Sequence, residues 1–414
     1  MDIDIFREII VPVIGGLGLF MLGLEFMANG IQALSVNRMR EWLAKMAGTP
    51  VKGVIAGTII TGIIQSSTAM TVMVVGLVNA GVVALRPAIS VIVGANIGTT
   101  LGNGLIALPL GPLGLFLSGI FGLLYVFAKS ERVRKIALAC LGFAVIFYGL
   151  NLMTGGLKPL RSMPEVMSLI SSLGADSFAG LVTCVLIAAL VTALIHSSSA
   201  TIGIVMGLGA SGVLEWQTAV AFALGADLGT TITSWMASLN LSKNAKRAAY
   251  AHISVNFIGV AVMLILFFPA LELLKYAMNW FGGDPGMPVL VDGKETFPLV
   301  PVAVGVFSTA FNILNTALLF PFIGVFERVL ARIGRTSEED IEDFSVPRYL
   351  DRKLTGSLNQ AVPAVQQETH RHLKAGAVFL DIALGKKSAP SDPGETSRGR
   401  RCRRLRAPWL SGTP

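Results

Sequence analysis

The sequence predicts an all-α polytopic membrane protein with two inverted-topology repeats, each holding a re-entrant helical hairpin with a polar motif at its tip. Three observations support this fold class: an apolar composition, long apolar segments, and a repeat that includes polar residues. Of the 414 residues, 53% are hydrophobic and 14% are charged, and the mean hydropathy is +0.68. Soluble globular domains carry about 25% charge. The composition therefore disfavours a cytoplasmic enzyme and favours an integral membrane protein.

Seven apolar segments are long enough to cross a bilayer, which takes about 20 helical residues at a rise of about 1.5 Å each. Between Gly53 and Ala128, Arg86 is the only charged residue. The first segment follows an acidic start and no small-residue cleavage site follows it, so we expect a retained helix and not a signal peptide. The segments lie at roughly 8–28, 88–108, 111–128, 136–155, 218–241, 248–272 and 298–325.

Basic residues between these segments predict the orientation, because cytoplasmic loops carry an excess of lysine and arginine. The loop at 279–297 is acidic and is expected outside. We therefore expect a multi-pass protein of the bacterial cytoplasmic (inner) membrane with a cytoplasmic C-terminus. The basic residues of the four expected cytoplasmic loops are Arg38, Arg40, Lys45, Lys52; Lys129, Arg132, Arg134, Lys135; Lys243, Lys246, Arg247; and Arg328, Arg332, Arg335.

An internal repeat is the strongest pattern in the chain. A shift of 131 places residues 57–101 on 188–232 without a gap, with 16 identities in 45 pairs. Upstream, a glycine pattern around Gly23 returns around Gly149 at a shift of 126. Shared glycine-rich composition does not readily produce gapless identity in polar residues. The repeated polar runs are QSSTA at 65–69 with HSSSA at 196–200, and GANIGTT at 94–100 with GADLGTT at 225–231.

The positions of the charges predict that the repeats are inverted. The first segment ends at a basic loop, whereas its copy at 136–155 begins from one. Repeat one, about 15–105, would therefore enter from the cytoplasm, and repeat two, about 141–236, from outside. Inverted repeats are characteristic of secondary transporters, whose sites lie near the membrane midplane where the repeats meet.

Each QSST-like run is expected at the tip of a re-entrant hairpin. Residues 51–83 are too long for one crossing and too short for two, and both flanks are basic. The equivalent hairpin, about 180–212, would enter from the opposite face. Irregular backbone at that depth is tolerated where protein or a water-filled cavity satisfies it. The two tips are therefore expected to meet near the membrane centre.

The residue types at these tips suit a small oxyanion together with alkali cations. Helix N-termini and hydroxyl groups donate to an anion, while hydroxyl, carbonyl and Asn96 or Asp227 side-chain oxygens suit Na⁺. The alternative for serine and threonine is packing or a bond back to the helix. His196 and Asn96 have ordinary core or interhelical roles as alternatives. His252 and Asn256, four residues apart, are expected to form interhelical bonds.

At these motifs the chain resembles the type II sodium-dependent phosphate cotransporter family in its bacterial branch. That family carries a Gln-Ser-Ser-Ser signature in each inverted repeat, followed by a Gly-Ala-Asn-like Gly-Thr-Thr element, and the match runs over about residues 8–330. The resemblance implies sodium-driven symport of inorganic phosphate, with phosphate and Na⁺ as partners. Carried over by position, it implies functional roles for Gln65, Ser66, Ser67, Thr68, Asn96, Thr99 and Thr100, and for Ser197, Ser198, Ser199, Thr230 and Thr231.

Three positions depart from the family pattern. Thr68 replaces the last serine but keeps the hydroxyl, His196 replaces glutamine, and Asp227 stands opposite Asn96. Our hypothesis is that His196 helps to bind phosphate with the two QSST-like runs. The hypothesis also assigns Na⁺ to Asp227, together with Asn96, Thr99, Thr100, Thr230 and Thr231.

The transport domain is expected at residues 1–335, and its last apolar helices run to 326. The polar sequence that follows is expected to lie outside the membrane domain. Residues 336–385 resemble the start of a PhoU-like helical region of the cytoplasm. Residues 386–414 hold eight basic and two acidic residues, or +6 of the total +8, and resemble disordered sequence. A lipid-binding segment is the alternative for this tail. The remaining chain is nearly neutral, so no nucleic-acid partner is expected.

Other functions stay open at this stage. A transporter of another oxyanion, such as sulfate or a carboxylate, would use the same chemistry. An intramembrane serine hydrolase would need Ser197 or Ser198 with a histidine and Asp227, but the sequence has no Gly-x-Ser-x-Gly elbow. A channel is disfavoured by paired short hairpins. Three scattered cysteines and four histidines predict neither a disulfide framework nor a transition-metal site, and the expected coupling ion is Na⁺ without another cofactor.

Overall fold

The structure is a computed structural model. It describes residues 4–46, 49–79, 82–108, 110–291, 294–333, 349–350 and 358–383. The chain divides into two compact units, residues 1–333 and 334–414. The described residues are predominantly helical, as the all-α prediction requires.

The described part of the first unit contains fourteen α-helices and one short β-hairpin. A π-helical turn at Ile5–Ile10 leads into the first helix, and β1 (Val289–Val291) pairs antiparallel with β2 (Lys294–Thr296). The helices are α1 (Val11–Met46), α2 (Pro50–Ile64), α3 (Ser67–Asn79), α4 (Leu85–Ile106), α5 (Gly111–Phe127), α6 (Glu131–Leu157), α7 (Pro164–Ser171), α8 (Phe178–Ile195), α9 (Ser198–Ala210), α10 (Trp216–Gly229), α11 (Thr231–Ser238), α12 (Lys243–Met278), α13 (Leu299–Leu319) and α14 (Ile323–Arg332).

Six helical stretches in the described ranges are long and apolar enough to cross a membrane. The multi-pass prediction is confirmed at this level of length and composition. Three details differ from the expected segments: α5 has 17 residues, α8 is long enough to cross by itself, and 218–241 is split into α10 and α11. The six stretches are Ile5–Leu34, Leu85–Ile106, Glu131–Ser162, Phe178–Ile195, Lys243–Phe281 and Leu299–Arg332.

The chain is interrupted at Thr230, between α10 and α11. The Thr230 hydroxyl donates to the Asp227 carbonyl at 2.7 Å, and the Thr231 hydroxyl donates to the Leu228 carbonyl at 2.7 Å. Such side-chain bonds compete with the backbone ladder. In repeat one, Thr99 and Thr100 make similar bonds within the continuous α4, so these local features do not break a helix by themselves.

Helices α1 and α6 pack closely along a seam of glycines. A Cβ atom at Gly16 would lie 2.5 Å from the Met153 amide nitrogen, and one at Gly23 would lie 2.6 Å from that of Ile146. The numbers rise along α1 as they fall along α6, so the helices run antiparallel. Under the repeat shift of 126, Gly16 corresponds to Gly142 and Met153 corresponds to Met27. The structure contains both contacts, Gly16 with Met153 and Gly142 with Met27.

Helix α2 runs parallel to α4, and the same arrangement recurs for α8 and α10. Gly53 lies against Ser90 near the start of both helices, and Gly98 lies against the Thr58 carbonyl further along. Because α4 begins beside the beginning of α2, α3 must return the chain, and α2–α3 is a hairpin. In the second copy Gly225 lies against the Val185 carbonyl, as Gly94 lies against that of Val54 in the first.

The loop contacts group segments that were expected on the same side of the membrane. Arg161, at the end of α6, is 2.8 Å from Glu295 of the acidic loop and lies 5.4 Å over the Phe297 ring. At the other end, Arg86 is 3.8 Å from Glu327. The side of the membrane to which each end belongs stays a prediction.

The two last long helices, α12 and α13, join the repeats through buried polar and aromatic contacts. Asn103 of α4 donates to Ser308 of α13 at 3.1 Å. Phe267 of α12 meets Phe307 of α13 edge to face, with ring centroids 6.2 Å apart. These contacts fix α13 across α4, beside the repeated GANIGTT element.

The described part of the second unit is mainly α15 (Leu358–Ala383). Within it the buried Glu368 and Arg371 form an ion pair at 2.5 Å, and the Tyr349 amide donates to Glu368 at 2.8 Å. The predicted PhoU-like region lies only partly within the described residues, and the basic tail at 386–414 lies outside them.

Candidate functional site

Both hairpin tips have the same backbone conformation. Gln65 (φ 58°, ψ 28°) ends α2, and His196 (φ 59°, ψ 22°) ends α8. They are the only non-glycine residues with positive φ in the described part of the chain. This left-handed conformation is uncommon for residues with a side chain and marks sites where the surrounding structure imposes it. Residues that correspond under the repeat shift of 131 thus share an unusual backbone conformation as well as their sequence pattern.

A serine follows each of these residues and caps the next helix. The Ser66 hydroxyl accepts a hydrogen bond from the Ala69 amide at 3.1 Å, and the Ser197 hydroxyl accepts one from the Ala200 amide at 3.2 Å. An N-cap serine stabilises a helix by about 1 kcal/mol. Each hydroxyl keeps its own O–H to donate elsewhere. The first backbone N–H groups of α3 and α9 also lack partners within their helices.

The two tips share one cavity of about 320 Å³. That volume is at the lower end of small-molecule sites. Hydroxyl groups, one amide and one carboxylate form its polar lining, and the remainder is apolar. The lining residues are Met21, Leu22, Leu24, Glu25, Met27, Ala28, Gln65, Ser66, Ser197, Ser199 and Ala200.

Glu25 is the lining residue that the sequence reasoning missed. It lies in the first apolar segment and is the only charged residue between Glu8 and Arg38. A carboxylate inside an otherwise apolar membrane segment is a functional candidate by default. That signal could have identified it from the sequence. Phe20, one turn and a half earlier on α1, packs on Gly203 of α9 and holds this part of α1 beside the second hairpin.

Four of the eight predicted phosphate residues line the cavity: Gln65, Ser66, Ser197 and Ser199. The other four are not among its lining residues. Ser67 and Ser198 are buried, Thr68 lies 3.4 Å from Thr233 between their hydroxyl oxygens, and His196 is exposed. The phosphate role of all eight residues stays a prediction.

The Gln65 amide is held in a small space between its own helix and α4. Its Nε2 donates to the Gly62 carbonyl. On the other side, its Oε1 occupies the place where a Cβ atom at Gly102 would stand. Gly102 is therefore required for this position of the Gln65 side chain.

The predicted sodium residues lie away from the cavity lining. Their four threonine hydroxyls donate to nearby backbone carbonyls: Thr99 to Ala95 at 3.1 Å and Thr100 to Ile97 at 2.8 Å within α4, and Thr230 and Thr231 to the last residues of α10 as given above. Each hydroxyl oxygen retains a lone pair for a cation. These contacts agree with the packing alternative and do not test the sodium role.

Asn96 and Asp227, which are equivalent in the repeats, are each bonded to an asparagine of a later helix. The Asn96 amide donates to Asn256 of α12 at 2.7 Å. The Asn312 amide of α13 donates to the Asp227 carboxylate at 2.8 Å. Asn312 carried no signal in the sequence, because it lies outside the repeat. The later helices therefore contact both copies of the element at the same position.

The structure does not assemble the residues of a serine hydrolase. His252 contacts Ser234 at 2.7 Å, and both side chains are fully buried. No described hydrogen bond joins a histidine to Ser197 or Ser198. In the described part of the chain no three His, Cys, Asp or Glu side chains are grouped closely enough to hold a metal ion.

Comparison with known proteins places these features in a family. The family model described as Na⁺/Pi-cotransporter matches residues 19–155 and 164–282. The predicted family resemblance is confirmed by this match. Both hairpins, the cavity and both GANIGTT-like elements fall within the matched residues. No solved structure matches the chain.

Similar proteins come from bacteria and animals. YqeW of Bacillus subtilis is 28% identical over 75% of this chain and 94% of its own length. YjbB of Escherichia coli K12, whose name proposes inorganic phosphate export, is 23% identical over 87% of this chain, and the match spans only 62% of YjbB. Human sodium-dependent phosphate transport protein 2B is 29% identical over 24% of this chain and 15% of its own length.

Proposed function

Since this chain belongs to the Na⁺/Pi-cotransporter family, we propose that it carries inorganic phosphate across the bacterial cytoplasmic membrane, coupled to sodium and by alternating access. The observation that carries the proposal is the shared cavity, in which Ser66 and Ser197 each cap a helix whose N-terminus faces the same space. The names of YjbB and of transport protein 2B both concern phosphate and support this substrate.

The chemistry of the cavity suits a phosphate oxyanion. Two helix N-termini contribute positive dipole ends and free N–H groups, which favour an anion. The Ser66, Ser197 and Ser199 hydroxyls and the Gln65 amide add neutral donors. Neutral donors can release an ion more easily than a buried arginine would, as a carrier requires. We propose that His196, Ser67, Thr68 and Ser198 contribute in another conformational state.

We further propose that the two repeats are inverted in the membrane and that their hairpins are re-entrant. The antiparallel seam of α1 and α6, whose contacts exchange under the repeat shift, supports the inversion. The limbs α2 and α3 have 15 and 13 residues and α9 has 13, whereas α8 has 18 and is long enough to cross. At about 1.5 Å per residue the three short limbs are well below a bilayer core of about 30 Å, which supports a tip near the midplane.

For sodium we propose two equivalent sets of polar residues, Asn96, Thr99 and Thr100 in repeat one and Asp227, Thr230 and Thr231 in repeat two. Asp227 is the strongest candidate, because a carboxylate offers more acceptor sites than the one that Asn312 occupies. The sets belong to α4 and to the α10–α11 segment, which pack directly against the hairpins. Sodium bound there would stabilise the helices that support the tips.

Phosphate flux in proteoliposomes tests the proposed function. Purified protein is reconstituted, and entry of radioactive phosphate is followed under an imposed Na⁺ gradient and under an equal K⁺ gradient. We expect flux with Na⁺ and little with K⁺. Flux that is equal in both would contradict sodium coupling. Inhibition by excess sulfate as strong as by excess unlabelled phosphate would contradict phosphate as the substrate and favour a less selective oxyanion carrier.

A further inference from the structure

Glu25 is the only charged residue among the described residues that line the cavity. No ion pair joins it to another described residue. The helices packed against this part of α1 supply no counter-ion. Lys52 is the only charged residue of α2 and lies at its far end, α9 has none, and those of α6 lie at 131–135, far from the level of Glu25. His196 directly precedes Ser197 in the sequence, but its side chain is exposed and does not line the cavity.

The Glu25 carboxylate is not needed for packing, because its side chain is exposed and its repeat counterpart is uncharged. The shift of 126 places Glu25 on Asn151 of α6. Asn151 lies against α5, where a Cβ atom at Gly111 would be 3.2 Å from the Asn151 Cβ. The equivalent position of repeat two is therefore an uncharged side chain in a helix contact. In repeat one the same position carries a charge that faces the cavity.

An ionised Glu25 opposes phosphate binding, because both groups are anions in one cavity of about 320 Å³. The Glu25 side chain is exposed, so solvent weakens this repulsion without removing it. A monovalent cation on the carboxylate, either Na⁺ or a proton, removes it. Binding of that cation and binding of phosphate must then favour each other by the same factor, since coupling free energies are reciprocal.

We propose that Glu25 is a coupling residue: it binds one monovalent cation whenever phosphate occupies the cavity, and it disfavours phosphate when that cation is absent. The inference rests on the proposed function, because it takes phosphate as the ligand of the cavity. It differs from the sodium cluster around Asp227, which does not line the cavity. Repeat one would thereby supply Glu25, a carboxylate in the cavity that holds the substrate. Repeat two would supply Asp227, a carboxylate outside that cavity.

Equilibrium binding of phosphate to purified protein in detergent tests this inference. Wild type, Glu25→Gln and Glu25→Asp are compared in Na⁺ and in K⁺ at one pH, and across pH 5 to 8 at one Na⁺ concentration. Glu165→Gln, an exposed carboxylate on α7, is the matched control. We expect Glu25→Gln to bind phosphate about tenfold more tightly than wild type in K⁺ at high pH, within the usual range of coupling factors. Glu25→Asp and the control should keep the wild-type dependence.

The two cation sources give different results. The comparison is made against Glu165→Gln, because phosphate changes its own charge between pH 5 and 8 and the proposed site at Asp227 has a Na⁺ dependence of its own. If Glu25→Gln loses part of the Na⁺ dependence that this control shows, the cation on Glu25 is Na⁺, and if it loses part of the pH dependence, that cation is a proton. Glu25→Gln with wild-type dependence on both would overturn the inference, as would folded Glu25→Gln that binds no phosphate. Should Glu25→Gln not fold, Glu25→Asn, which has the residue type of the equivalent position 151, is measured in its place, and the same two outcomes support or overturn the inference. Wild type that binds no phosphate under any condition would instead contradict the proposed function.

Discussion

The Asn312 amide donates to the Asp227 carboxylate at 2.8 Å, and this bond has a neutral counterpart in repeat one, where Asn96 donates to Asn256 at 2.7 Å. In repeat one, two neutral asparagines join α4 to α12 at the equivalent position. The carboxylate is therefore not required for the helix contact itself. It introduces a negative charge into one half of a duplicated arrangement.

Asp227→Asn should leave the protein folded and weaken sodium dependence. The new side chain can pair with Asn312 as Asn96 pairs with Asn256, so we expect little change in thermal stability. Loss of the carboxylate should raise the Na⁺ concentration for half-maximal phosphate flux by about tenfold, a coupling of ordinary size. This half-maximal Na⁺ concentration is measured from phosphate flux in proteoliposomes at a series of Na⁺ concentrations. Asp176→Asn, at an exposed carboxylate, serves as control, and an unchanged half-maximal Na⁺ concentration in Asp227→Asn would refute its sodium role.

Gly102→Ala should impair phosphate transport without unfolding the protein. The added Cβ would take the place of Gln65 Oε1 and lie 2.9 Å from Gln65 Cδ, so the flexible amide must move. Alanine also favours a helix over glycine by about 1 kcal/mol. We expect a several-fold increase in the KM for phosphate with unchanged or higher thermal stability. Gly104→Ala on the same helix meets nothing within 4 Å and should transport normally. Equal KM values for the two variants would contradict this role of Gly102.

Ser66→Ala and Ser197→Ala should each reduce phosphate flux far more than stability. Each loses one N-cap bond, which costs about 1 kcal/mol, and one donor to the cavity. Ser177 provides the matched control, because its hydroxyl caps α8 by accepting from the Gly180 amide at 3.1 Å but does not line the cavity. Ser177→Ala should lose similar stability and keep its flux. Thermal unfolding and initial flux rates separate the two effects, and parallel losses in all three variants would argue for a purely structural role.

Cysteine labelling should place the two ends of the first unit on opposite sides of the membrane. In a background without the native cysteines, Met287→Cys in the acidic loop and Lys129→Cys before α6 are both at exposed positions. An impermeant maleimide on intact cells should label Met287→Cys, whereas Lys129→Cys should require permeabilised cells. The same reagent accessibility at both positions would contradict the proposed inverted arrangement.

Much of the site could be predicted because its signals are local. The gapless repeat identifies both tips, and the serine caps with their preceding left-handed residues are properties of a few neighbouring residues. Half of the predicted phosphate residues line one cavity. The rest could not be assigned from spacing, since neighbouring residues on one turn point in different directions: Ser66 faces the cavity while Ser67 is buried.

The sequence alone determined the class of protein, the duplicated tips and the family, because composition, hydropathy and repeats depend only on the order of residues. The tertiary structure decided which polar groups share a space. The glycine seam between α1 and α6 sets the rotation of α1, and this rotation turns Glu25 toward Ser66 and Ser197. The contact of Asp227 with Asn312 spans 85 residues and depends on how α13 crosses the repeats. Close backbone approach at glycines fixes the first arrangement, and packing between distant segments such as these has no local signature.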